Sequence, residues 1–137
     1  MTECDKLFVY GTLRKNFENQ YATLLQKKSK YLGNGYFFGL LYDIGYYPGA
    51  VYEPECNDKV FGDIVLFNHK EVLEILDDYE GVNALDLQSC EFRREVVTVF
   101  MEGQPVSCWT YLYNHPVHHL KRIHSGDYLQ FLRNGYI

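Results

Sequence analysis

Three acids crowd a five-residue stretch of this chain, Asp77-Asp78-Tyr79-Glu80-Gly81, and a glycine ends an apolar run at Tyr10-Gly11-Thr12-Leu13. A carboxyl group moves protons near neutral pH when burial raises its proton affinity. Consecutive backbone N–H groups following a strand form a nest that takes an anion such as a carboxylate. Each stretch also has a plainer reading. Acids at a helix end are tolerated when solvated, although the macrodipole disfavours each by about 0.3–1 kcal/mol there. A lone glycine after a strand can be a turn and nothing more. Glu80 differs from its two neighbours in position: it directly precedes the glycine and follows a tyrosine of the apolar stripe, so its carboxyl can turn to a cavity instead of water. The glycine loop is neither a dinucleotide fingerprint nor a phosphate loop, because the spaced glycines of the first and the Gly-Lys-Ser/Thr ending of the second are both missing.

The elements that must hold these residues are written in local patterns. Leu7 to Tyr10 are apolar or aromatic without alternation, as in a strand buried on both faces. Phe17, Tyr21, Leu24 and Leu25 follow helical spacing, predicting a helix over about residues 16–27. Short apolar runs then alternate with Gly33, Gly35, Gly39, Gly45 and Pro48-Gly49, a punctuation that suits strands bending around a small barrel. Lys59 to Phe67 reads as a further strand. A second helix follows, with Asn68 as N-cap, Glu71 as reciprocal partner, Phe67 and Val72 as staple, and Gly81 as left-handed cap after Glu80. Val72, Leu73, Ile75, Leu76 and Tyr79 form its apolar stripe. Arg94 to Met101 and Val106 to Tyr113 flank Glu102-Gly103-Gln104-Pro105 as a hairpin, and Trp109, Tyr111 and Tyr113 share one face of it. Ser125 reads as the N-cap of a last helix carrying Tyr128, Phe131 and Leu132.

Composition narrows the function. The 137 residues suffice for one domain, residues 1–137, with its own core. An aromatic fraction of 17%, including 13 tyrosines, points to rings lining sheet faces or a cavity. The formal charge of −5 argues against nucleic acid as partner, and the one basic cluster, Lys27-Lys28-Ser29-Lys30, reads as a solvated helix end. No run approaches the ~20 apolar residues of a membrane span, and the amino terminus has no signal-peptide pattern. Cys4, Cys56, Cys90 and Cys108 form no CxxC pair, which fits reduced thiols in a cytoplasm. His115, His118, His119 and His124 lack a recognised ligand spacing, so no metal is expected, and they read as solvated loop residues. Ser125 lacks the strand-to-helix setting of a nucleophile. Arg94 reads as the partner of an acid within the fold.

Taken in order along the chain, Val9-Tyr10-Gly11-Thr12-Leu13-Arg14, Asn19, Tyr47-Pro48-Gly49-Ala50, Leu76-Asp77-Asp78-Tyr79-Glu80-Gly81, Arg94, Trp109-Thr110-Tyr111-Leu112-Tyr113 and Ser125-Gly126-Asp127-Tyr128 resemble the γ-glutamylcyclotransferase-like family, and its γ-glutamylamine cyclotransferase and AIG2-like group most. The resemblance implies an α+β fold: a small mixed β-barrel with peripheral helices. It implies that Glu80 is the acid/base and that Tyr10, Gly11, Thr12 and Leu13 hold the glutamyl end of a small γ-glutamyl substrate, with no cofactor, metal, nucleic acid or membrane involved. Tyr10 and Tyr113 are candidate walls of the cavity, with plain barrel packing an equal alternative for Tyr113. Two positions depart from the family: Phe92 stands where a tyrosine is common, and His124 precedes Ser125-Gly126-Asp127 where other residues are usual. The implied reaction is cyclisation of a γ-glutamyl amine or peptide to 5-oxoproline with release of the amine. A non-catalytic barrel with the same pocket is the alternative from another class, and a hydrolase releasing glutamate is a third.

Overall fold

The computed structural model describes residues 4–15, 17–67, 70–82 and 89–135. Its strands are β1 (Lys6–Val9), β2 (Ser29–Asp43), β3 (Pro48–Tyr52), β4 (Lys59–Phe67), β5 (Phe92–Met101), β6 (Gln104–Tyr113) and β7 (Lys121–Arg122), and its helices are α1 (Gln20–Lys28), α2 (Glu71–Glu80) and α3 (Tyr128–Gly135). Five strands close on themselves in the order β2-β4-β1-β6-β5, and the ring shuts where Tyr36 of β2 pairs with Phe100 of β5. Within it β1 and β6 run parallel while the other pairs are antiparallel, so the barrel is mixed. β3 and β7 extend the far end of β2. The expected α+β barrel with peripheral helices is the observed architecture. Among the described residues, no helix is long and apolar enough to cross a membrane.

The glycine-punctuated runs after α1 are not separate strands. Residues 29–43 form one long strand that bends with a register shift between Tyr31 and Gly33, long enough to pair with β4 at one end and β3 at the other. β1 is buried on both faces, as its unbroken apolar sequence requires. Phe8 and Tyr10 join Phe37, Ile64, Val99 and Leu112 in one cluster contributed by the barrel strands. Leu7 and Val9 point the other way, into a second cluster with Leu25 of α1 and Val72, Leu73 and Leu76 of α2. A slip of one residue would exchange these two sets. Fully burying a side chain of this kind is worth about 1.5–3 kcal/mol, so the register of β1 is strongly specified. The same strand therefore ends, with no freedom to slide, at the Tyr-Gly-Thr-Leu loop.

Helix boundaries differ from the sequence reading in instructive ways. α1 starts at Gln20, later than expected, because Asn19 caps it through Oδ1, which accepts the N–H of Ala22 at 2.8 Å. Phe17 lies before the helix and stacks on Tyr128. Lys27 and Lys28 fall in the last turn of α1, where the dipole favours cations. Asn68 lies outside the described residues, and among those described α2 begins at Glu71 after Lys70. Ser125 is not the cap of α3. Asp127 takes that place, its Oδ1 accepting the N–H groups of Leu129 (3.1 Å) and Gln130 (3.4 Å), while Ser125 Oγ accepts the N–H of Asp127. The hairpin is tighter than predicted: Glu102 and Gly103 alone turn the chain with φ of 53° and 79°, the pair of positive values that a two-residue turn matched to strand twist needs.

Candidate active site

The loop after β1 is fixed from three directions. Gly11 C=O accepts the N–H of Arg14 at 3.1 Å, closing a turn. Arg14, only 6% exposed, pairs with Asp63 (3.2 Å) and Asp127 (3.3 Å), and the other Asp63 oxygen accepts the N–H of Lys15 at 3.1 Å. Asn19, while capping α1, also donates from Nδ2 to the C=O of Thr12 at 2.8 Å. Leu13 is buried in the cluster beneath the helices. Gly11 answers the question its position raises: a Cβ there would lie 2.9 Å from Cγ of Pro48, so the loop can press against Tyr47-Pro48 only as glycine. Among the described residues, no acceptor takes the N–H of Gly11, Thr12 or Leu13. Backbone donors left unengaged on a fixed loop can take an anion such as a carboxylate.

α2 delivers the acidic stretch to the same place. Gly81 adopts the left-handed conformation (φ 73°) and its N–H turns back on the carbonyls of Asp77 and Asp78, so the helix stops with Glu80 as its last residue. Tyr79, one position earlier, stacks on Tyr21 of α1 with ring centres 4.3 Å apart, and its hydroxyl shares a 2.7 Å hydrogen bond with Thr12 Oγ1. The helix end and the loop are thus tied directly. Thr12→Val should cost about 1 kcal/mol in urea unfolding, because Tyr79 keeps a partly buried hydroxyl without its partner. Combining it with Tyr79→Phe should cost less than the sum of the two single changes; strict additivity would show that the hydroxyls are not coupled.

The three acids part company. Asp78 is exposed, as the solvated reading expects. Asp77 is half-buried and paired: Arg94 grips both its oxygens (2.8 and 3.1 Å) and Tyr111 donates its hydroxyl to Oδ1 at 2.7 Å, which also supplies the partner expected for Arg94. The Arg94 guanidinium lies over the Trp109 ring at 4.4 Å. Glu80 faces a cavity of about 200 Å³ and has no hydrogen-bond partner among the described residues. Its pKa is pushed up to about 8, first by burial and second by the nearby charge of Glu91.

Tyr10, Gly11, Thr12, Leu13 and Glu80 all line that one cavity. Tyr113 does not. Its ring packs over Gly49 and edge-on to Phe92, and burial and then the nearby charge of Glu91 raise the pKa of its phenol. Tyr111, two residues earlier on the same face of β6, reaches the lining instead. Tyr10 contributes its ring while its hydroxyl is engaged, donating to the C=O of Tyr111 (2.5 Å) and accepting the N–H of Ala50 (3.1 Å). Burial, and then the charge of Glu80, raise its pKa far above the ordinary tyrosine value, so this hydroxyl stays protonated and structural. Sequence reasoning missed Tyr47, Tyr79, Glu91 and Tyr111 as lining residues. Tyr47 donates its hydroxyl to Glu91 Oε1, and burial followed by that bond keeps the phenol protonated. No local signal marks Glu91; only the pairing of β5 with β6 brings it to the cavity. His118 and His119 are exposed, and His115 packs against Tyr113.

With this geometry in place, comparison with known proteins is specific. Residues 7–130 match the family model described as γ-glutamyl cyclotransferase, AIG2-like. The γ-glutamylcyclotransferase family protein YtfP of Escherichia coli K12 is 31% identical over 125 residues, covering 90% of this chain and 96% of its own. The solution structure of ytfP from Escherichia coli superposes with a TM-score of 0.63 at 29% identity, over 90% of this chain and 96% of that one. The crystal structure of a mouse AIG2-like protein superposes with a TM-score of 0.69 at 23% identity, over 92% and 90% of the two chains, and speaks for the fold.

Proposed function

The chain belongs to the γ-glutamyl cyclotransferase, AIG2-like family, and from that premise we propose that it is an enzyme cyclising a γ-glutamyl amine or small γ-glutamyl peptide to 5-oxoproline. The observation that carries this reading is the meeting, in one cavity, of a Glu80 carboxyl and a rigid loop of N–H groups that have no partners among the described residues. Gly11, Thr12 and Leu13 receive the substrate's α-carboxylate. That contact holds the flexible glutamyl chain folded, with its α-nitrogen against its own γ-carbonyl, a proximity effect. The α-ammonium cannot attack until it loses a proton. Glu80 takes that proton, the nitrogen adds to the γ-carbon and gives up a second proton as the lactam forms, and the departing nitrogen gains both, one of them from Glu80 as the amide C–N bond breaks, so the amine leaves as its ammonium. One ring C–N bond forms, one amide C–N bond breaks, and neither water nor a cofactor is consumed. With four free cysteines, the setting we assign is the reducing cytoplasm.

The test is a screen of γ-glutamyl amines, γ-glutamyl dipeptides and glutathione, with products identified by mass. Release of 5-oxoproline supports the proposal. Glutamate instead of 5-oxoproline would make the protein a hydrolase, and tight binding without turnover would make it a binding barrel. The pH dependence is a second, independent check. Since free Glu80 loses its proton near pH 8, kcat/KM should climb about tenfold per pH unit from pH 6 and level off near that value. An acidic limb in the ordinary carboxylate range would remove Glu80 as the base.

A further inference from the structure

Two acids, Glu80 and Glu91, line the cavity, and among the described residues only Glu91 receives a hydrogen bond. Resting on the cyclase reading, we infer that Glu91, held by Tyr47, is a positioning residue: it keeps the negative charge of the pair, so that Glu80 holds the proton and is left to exchange it with the substrate. The segment carrying Glu91 is anchored to the end of β6. Glu91 C=O accepts the N–H of Asn114 at 2.8 Å, and Cys90 C=O accepts from Asn114 Nδ2 at 3.0 Å. From the other side, a turn closed by Ile44 N–H on Tyr47 C=O (3.0 Å) presents Tyr47, whose ring packs against Phe92 and whose hydroxyl donates to Glu91 Oε1. Glu80, on the last residue of α2, faces the same space without a donor.

Two carboxylates around a cavity of about 200 Å³ repel one another, and such a pair lowers its energy by keeping one proton. The Tyr47 hydroxyl decides where that proton stays, because a donated hydrogen bond favours the ionised partner. No cation competes: the described lining has no lysine, arginine or histidine, Arg94 answers Asp77, and Arg93 is bonded to Glu95 and Asn114. The phenols that line the cavity with Glu80 come from the loop after β1 (Tyr10), the turn before β3 (Tyr47), β6 (Tyr111) and its own helix (Tyr79). Burial, as the first cause, pushes Tyr10, Tyr47 and Tyr111 far above the ordinary phenol, and Tyr79 is bonded to Thr12. The charge of Glu91 accordingly stands second to burial among the causes that raise the Glu80 pKa to about 8. A carboxyl poised near ambient pH takes a proton from the α-ammonium and returns one to the departing nitrogen without a steep penalty on either transfer.

Glu91→Gln tests the charge alone, because the amide oxygen still accepts the Tyr47 hydroxyl. Carbon-13 NMR of protein labelled at the glutamate side-chain carboxyls follows Glu80 without substrate, its signal and that of Glu91 being identified by their loss in Glu80→Gln and Glu91→Gln. In Glu91→Gln the Glu80 midpoint should fall far enough to raise its ionised fraction at pH 6 at least about threefold, and Glu91→Asp, which keeps the charge, should bring it back toward the parent. In the parent itself the Glu91 signal should show an inflection near pH 8 as Glu80 ionises, a coupling that depends on no variant folding. The pH profile of 5-oxoproline formation supplies the functional half. Its acidic limb should move to lower pH in Glu91→Gln while the plateau falls severalfold, since a less basic carboxylate takes the proton less readily. A residue that only shaped the wall would lower the profile at every pH and leave the limb in place. That outcome overturns the inference, as does a Glu80 midpoint unmoved by Glu91→Gln, a midpoint not recovered in Glu91→Asp, or a parent Glu91 signal indifferent to Glu80. Formation of 5-oxoproline with the two carboxyls uncoupled sinks only the role of Glu91, and coupled carboxyls with no 5-oxoproline from any γ-glutamyl compound sink only the cyclase reading.

Discussion

Glu80→Gln should fold and yet lose at least ~10²-fold in turnover on a substrate that the parent protein cyclises, the low end of what a positioned acid/base contributes. The change keeps shape and hydrogen-bonding capacity and removes only the proton-accepting oxygen. Stability separates loss of chemistry from loss of fold, because its sign is set by linkage. The fold raises the Glu80 pKa from 4.5 to about 8. Its contribution is therefore intact below about pH 4.5 and is lost as pH rises to about 8, where an ionised carboxylate sits in the cavity. The glutamine variant escapes this loss, so its stability relative to the parent should grow across that window, by up to a few kcal/mol. Urea midpoints at pH 4.5 and pH 8.5 measure it. Asp78→Asn is the matched control: the same helix end and the same unfavourable dipole position, but an exposed side chain, so activity should be retained. Asp77→Asn is a poorer control, since Asp77 holds both Arg94 and the cavity-lining Tyr111. Near-normal turnover of Glu80→Gln would take the central residue out of the mechanism.

Acetylating the substrate's α-amine should abolish 5-oxoproline release, not merely slow it, because in the proposed cyclisation the nitrogen lone pair is the nucleophile and an amide nitrogen has none to offer. The effect is specific to ring closure. The α-carboxylate survives acetylation, and in the proposed pose it still meets the donors of Gly11, Thr12 and Leu13 on the cavity wall, so the blocked compound should persist as a competitive inhibitor. Chromatographic detection of 5-oxoproline, with inhibition measured against the free substrate, checks both halves. If the acetylated compound is cleaved at a comparable rate, liberating N-acetylglutamate, attack comes from water and the cyclisation mechanism fails.

What the chain declares by itself is whatever depends on neighbours in sequence. An unbroken apolar run is a strand buried on both faces wherever it lies, and β1 is one. A stripe at helical spacing followed by glycine ends a helix at that glycine, so Glu80 at the last position of α2 was readable from residues 72–81. Turn chemistry likewise announced the loop at Gly11 and the hairpin at Gly103. Local competition blurred the finer detail. Ser125 and Asp127 both offer an oxygen to the start of α3, and only the backbone path puts Asp127 at the cap and Ser125 two residues before it.

Tertiary structure decided everything that required two distant segments to meet. Asp77 and Asp78 are alike in sequence, yet one faces Arg94 and Tyr111 across the helix-to-barrel seam and the other faces water. Tyr111 and Tyr113 share a face of β6, but residues two apart on a strand stand roughly 6–7 Å from one another, so the cavity is lined by the first ring while the second packs over Gly49. Glu91 met Tyr47 and the cavity by the pairing of Phe92 with Tyr113, a register no local pattern encodes. The raised proton affinity of Glu80 belongs to the same class. Burial and a neighbouring charge cause it, and both exist only once the ring of strands has closed and α2 has docked against it.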